Sequence, residues 1–93
     1  MYAIVGMSEI DASRGDEAVE ILTNGIVPGI SQAPGFVSAT FARSSDGSKG
    51  RSMVVFESED AAKAVAATAG DRMPENAPIK IVSVEVYEVV ASA

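Results

Sequence analysis

The stretch from Pro34 to Ala61 constrains this chain most. Pro34-Gly35 stops a helical pattern, Phe36 opens an extended run, and Asp46-Gly47 reverses the chain. Val54-Val55-Phe56-Glu57-Ser58-Glu59-Asp60-Ala61 then passes from strand into helix. Proline removes an amide and glycine accepts a left-handed conformation, so helices end at such pairs. Asp-Gly between extended runs is a hairpin signal. Ser58 is placed to cap a helix whose first turn carries Glu59 and Asp60 at the positive end of its dipole. Helix, hairpin and helix in that order, with a strand on either side, make a β-α-β-β-α-β domain.

The flanking segments supply the other elements. Tyr2 to Ile10 is apolar and short enough for a strand, and Asp11-Ala12-Ser13 breaks it. Ser13 with Asp16 resembles a capping box, and Asp16, Glu17 and Glu20 suit a helix start. Val19, Leu22, Ile26 and Ile30 share one face of a helix over about 16–32, which Pro28 is expected to kink. The second strand is read over 36–43 and the third over 51–57. Ala62, Val65, Ala66 and Ala69 give the second helix a small-residue face that lets it lie close to the sheet. A final strand is read over 79–90.

Ninety-three residues hold one core, so residues 1–93 are read as a single domain. A chain this short buries only about 60% of its unfolded surface and gains from oligomerising. Hydrophobic residues make up 47% and charged residues 22%. The formal charge of −6 comes from 13 acids against 7 bases with no basic cluster, which argues against nucleic acid as a partner. Cysteine and histidine are both absent. Their absence removes disulfides, thiol nucleophiles, zinc–thiolate sites, the commonest general base and the usual haem ligand. No cofactor and no metal is expected. With no basic leader and no apolar run near the ~20 residues that span a bilayer, no membrane partner is expected and a cytoplasmic location is.

One face of such a sheet carries both helices, and the other is wet in a monomer. The strands do not alternate as a wet face requires. Val82, Val84 and Val86 are read on one side of the last strand, with Ile81 and Tyr87 on the other. In the first strand Ile4 opposes Ala3, Val5 and Met7. A second copy of the same sheet is the economical cover, giving a two-fold dimer with Val5, Val37, Phe41 and Tyr87 at its interface.

The order of elements, with Ile26-Val27-Pro28-Gly29-Ile30…Pro34-Gly35-Phe36 and Val54 to Ala61, resembles the dimeric α+β-barrel superfamily, in its antibiotic-biosynthesis-monooxygenase-like branch. The resemblance implies an α+β, ferredoxin-like β-α-β-β-α-β fold: an antiparallel four-stranded sheet with two helices on one face, dimerising into an α+β barrel. It also implies one of several roles: cofactor-independent oxidation of aromatic polyketides, haem degradation, or no known activity. Haem-degrading relatives carry an Asn late in the first strand, a Trp in the second helix and a His after it. The corresponding places here hold Ser8, Val65 and the segment 73–75, and Phe56 replaces a tryptophan common before Glu-Ser. Haem degradation is therefore not expected.

No catalytic constellation offsets that loss. Glu57, Glu59 and Asp60 read as solvated acids at a helix start, and no phosphate loop, calcium loop or Ser-x-x-Lys pair occurs. If Ser8 lies at the family's cleft, then Ile4, Gly6 and Ser8 point toward the helices, and Ser52, Val54, Phe56 and Val65 line the same space. Arg43, Glu85 and Tyr87 are candidates for the rim of the cleft or of the dimer. The expectation is a homodimer that binds a small apolar or aromatic molecule in that cleft. A cofactor-independent monooxygenase and a structural interaction module are the alternatives.

Overall fold

The strands form where turn chemistry leaves them room. In the computed structural model, which describes residues 1–93, they are β1 (Tyr2–Ile10), β2 (Phe36–Arg43), β3 (Lys49–Phe56) and β4 (Ile79–Glu88). They build one sheet in the order β2-β3-β1-β4, antiparallel at every pairing. Gly35 and Gly47 both adopt positive φ, at 81° and 78°, so each turn uses the conformation that only glycine reaches without strain.

The hairpin loop is held by one carboxylate. Asp46 accepts hydrogen bonds from the Ser48 amide and from the hydroxyls of Ser48 and Ser44, at 2.9, 2.7 and 2.8 Å. The Ser48 amide first, then the two hydroxyls, hold its pKa down at about 2. A depressed folded-state pKa stabilises the loop fully above about pH 4, and that stabilisation is lost as pH falls through about 2. Asp46→Asn should therefore melt below the wild type at pH 7, and the gap should close between about pH 4 and pH 2. An unchanged gap at pH 2 would remove Asp46 from this role.

The first helical segment differs from a simply kinked helix. A 3₁₀ turn at Ala12–Arg14 leads into α1 (Gly15–Ile21), then a π-helical turn at Leu22–Ile26, then α2 (Val27–Ser31). Asp11 provides the cap, accepting from the Ser13 amide and hydroxyl, in place of the Ser13–Asp16 box. The π turn ends where the Val27 amide donates to the Leu22 carbonyl, one residue before Pro28, which has no amide to offer. Widening the turn there keeps the chain helical past a proline that an ordinary helix would not hold. α3 (Glu59–Ala66) begins as read, with the Ser58 hydroxyl accepting from the Ala61 amide at 3.1 Å. It stops short of Gly70.

The core lies between sheet and helices. Ile4, Val54 and Phe56 from the sheet meet Ile30 of α2 and Ala62 of α3. Phe36 stands edge-on to Phe56, ring centroids 6.0 Å apart. Ala62 is fully buried, and its small side chain brings α3 down onto the sheet.

Two β-bulges change which residues share a face. The β1–β4 register shifts between Met7 and Ser8, so Ile81 pairs with Ser8 and Ser83 with Met7. Val82 therefore leaves the side shared by Val84 and Val86 and is 56% exposed, while Ile81 joins the helix side. The β2–β3 register shifts between Phe36 and Ser38. Phe36, opposite Phe56, thus sits on the helix side with Ala39 and Phe41, whereas Ser38, Thr40 and Ala42 lie on the helix-free side. No helix is long and apolar enough to cross a membrane.

Candidate functional site

Sheet and helices part beyond the core to leave a cleft of about 500 Å³. Its floor is Ile4 and Ser8 of β1, Ser52 and Val54 of β3, and Ala39 and Phe41 of β2. Ala18, Leu22, Thr23, Ile26 and Ile30 form one wall; Val65 and Ala66, with Ala69, Arg72 and Met73 beyond α3, form the other. The π turn contributes Leu22, Thr23 and Ile26, so the backbone irregularity shapes the wall directly. The Thr23 hydroxyl is spent on the Val19 carbonyl at 2.9 Å. Of the 27 lining residues 20 are hydrophobic, and none is Asp, Glu, Lys, His or Tyr.

Two hydroxyls interrupt the apolar floor. Gly6 pairs with Ser52 and Ser8 with Gly50, so serines and glycines alternate on a diagonal across β1 and β3. Each serine leans over the opposite glycine: a Cβ at Gly6 would lie 2.5 Å from the Ser52 oxygen, and one at Gly50 would collide with the Ser8 oxygen. Neither hydroxyl bonds to another group of the protein. They are the polar atoms available on the floor.

The cleft gathers five of the seven residues expected to line it: Ile4, Ser8, Ser52, Val54 and Val65. Gly6 serves as the seat of Ser52, and Phe56 is wholly buried in the core. Val5 lies on the helix-free face opposite Met53 and Glu85, and Tyr87 lies there opposite Ala3. Val37 sits at the β2 bulge and is 40% exposed. Phe41 is corrected: the bulge turns it into the cleft, away from the helix-free face. Arg43 reaches the cleft, whereas Glu85 and Tyr87 do not. Sequence reading missed Arg72, which lies in the turns after α3 without any motif to mark it. No three His, Cys, Asp or Glu side chains converge as metal ligands would.

A split β-α-β domain with an apolar cleft between sheet and helices is the class that this geometry defines. The model for antibiotic biosynthesis monooxygenases matches residues 1–70, and the chain belongs to that family. No curated protein matches it. Among solved structures it resembles the heme-degrader MhuD of Mycobacterium tuberculosis with two hemes bound in its active site, at 20% identity and TM-score 0.77, covering 100% of this chain and 99% of that one. It also resembles the ActVA-Orf6 monooxygenase of Streptomyces coelicolor in complex with nanaomycin D, at 20% identity and TM-score 0.64, covering 99% and 89%. A third is SnoaB, a cofactor-independent oxygenase of Streptomyces nogalater, at 15% identity and TM-score 0.71, covering 98% and 94%. At these identities the likeness is one of fold.

The donor set does not fit an iron porphyrin. The cleft holds no His, Cys or Tyr, and Ser8 and Val65 offer a hydroxyl and a hydrocarbon. Met7 and Met73 are the only soft donors along it, and a thioether is a weak iron ligand beside the imidazole, thiolate or phenolate that proteins use.

Proposed function

We propose that the protein is a homodimer that binds a small, flat, apolar or aromatic molecule in the cleft between its sheet and helices. The observation that carries this reading is the cleft itself. About 500 Å³ of apolar space stays open in a chain whose core is otherwise filled by Phe56, Ile30 and Val54. Ligand sites are typically this size, apolar, and dotted with a few polar groups, here the Ser8 and Ser52 hydroxyls.

Dimerisation rests on the helix-free face. Val5, Met7, Met53, Val55 and Tyr87 lie together there, with Met53 50% and Tyr87 46% exposed. Lys49, Arg51 and Lys80 flank this patch along with Glu9 and Glu85, so both charge signs border it. An apolar patch with a mixed-charge rim is complementary to a rotated copy of itself.

Family membership favours a second reading, cofactor-independent monooxygenation. The cleft holds no titratable group that gains or loses a proton near neutrality, so the substrate must itself be acidic enough to form a carbanion. An anthrone meets that condition. Its CH₂ becomes C=O while dioxygen supplies one atom to the product and leaves the other as water, the substrate giving all four electrons. The test is a fluorescence titration with 2-naphthol beside oxygen uptake with dithranol. Binding without uptake above the protein-free rate marks a binder. Uptake that rises with ionisation of the anthrone marks an oxygenase. Absence of both removes the cleft from either role.

A further inference from the structure

The charges around the cleft are placed against the balance of the chain. Thirteen carboxylates outnumber seven cations, yet no carboxylate lines the cleft and three arginines border it. One of these, Arg51, stands opposite Met7 and Ala42, which puts its side chain on the helix-free face, where Nη1 donates back to the Gly50 carbonyl at 2.8 Å. Arg43 and Arg72 remain.

These two differ in their surroundings. Arg43 reaches toward Gly15 and also borders a shallow polar depression that it shares with Asp16, Glu17 and Asp46, so acids compete for its charge. Arg72 is not part of that depression. Its stem lies along Gly29 of α2, and its Nη1 donates to the Thr68 hydroxyl at 3.1 Å. Thr68 in turn donates to the Val65 carbonyl at 3.1 Å, which fixes the hydroxyl as an acceptor toward Arg72. The two ion pairs of the chain are Arg14–Glu17 and Lys63–Glu59, and neither uses Arg72. A guanidinium steered by a hydroxyl, with no carboxylate partner, thus stands at the wall of an apolar cleft.

Resting on the cleft-binding reading above, we propose that the natural ligand is an amphipathic carboxylate, an apolar or aromatic body in the cleft with its carboxylate on Arg72. The planar guanidinium matches a carboxylate with two parallel N–H···O bonds, and the part already held by Thr68 limits the freedom lost on binding. An exposed rim suits the charged end, which keeps part of its hydration while the rings leave water.

The experiment compares 2-naphthoic acid with its methyl ester by fluorescence titration at low salt. Wild type should prefer the acid by about fivefold, the factor that an exposed but well-oriented pair supplies. Arg72→Gln should remove that preference, whereas Arg43→Gln should keep most of it. The preference should also shrink as salt is raised. Equal binding of acid and ester by wild type, or a preference that survives Arg72→Gln, overturns this inference and leaves the cleft reading standing. Failure of both compounds to bind overturns the two together.

Discussion

Phe56→Ala should cost about 3–5 kcal/mol and lower the melting temperature by at least about 12 °C. The ring is 0% exposed, packs among Ile4, Ile30, Val54 and Ala62, and meets Phe36 edge-on. Truncation loses the transfer free energy of the ring, the contacts around the void, and an aromatic pair worth about 0.5–1.5 kcal/mol. A domain of this length has on the order of 5–14 kcal/mol to lose, so the variant stands near its folding limit. The cleft above cannot compensate by collapsing, because the sheet and α3 are already in contact through Ala62. A fall of less than about 5 °C would mean that Phe56 is not the keystone of the core.

The second large effect concerns association. Wild type should sediment as a dimer at micromolar concentration, and Val5→Lys should be a folded monomer. Val5 sits centrally on the helix-free face, between Met53 of β3 and Glu85 of β4. In a lone subunit a lysine there extends into water at little cost. Against a second copy of this face the ammonium must lose water, and even with Glu85 beside it that desolvation is a penalty of several kcal/mol. That corresponds to at least a hundredfold weaker association. Melting of the dilute monomer should be little changed, which separates an interface residue from a core one. A wild type that is monomeric at micromolar concentration would contradict the dimer.

The elements were legible because their boundaries carry local chemistry. Gly35 and Gly47 hold left-handed conformations, Ser58 caps α3, and Pro28 forces an adjustment; each of these signals acts within four residues. The faces were less legible. Strict alternation assigns every side chain from one register, and a bulge resets it without a mark in the sequence. That is why Val82 and Ile81 exchanged sides, and why Phe41 entered the cleft. On β4 the helix-free face holds Ser83, Glu85 and Tyr87, so its apolar character comes chiefly from β1 and β3. The floor of the cleft was readable from Ile4, Ser8, Ser52 and Val54 because they share one phase on strands without a bulge between them. Arg72 was not, since a long side chain after a helix takes its direction from Thr68 and Gly29, a contact that only the fold creates.

Methyl-resolved NMR with 2-naphthol added to the isotopically labelled protein locates the ligand on one face of the sheet or the other. The largest shift changes should fall on Ile4, Ile26, Val54 and Val65, on the helix side of the sheet, with Val5 and Val55 barely moved. Changes centred on Val5 and Val55, or none at saturating probe, would contradict it.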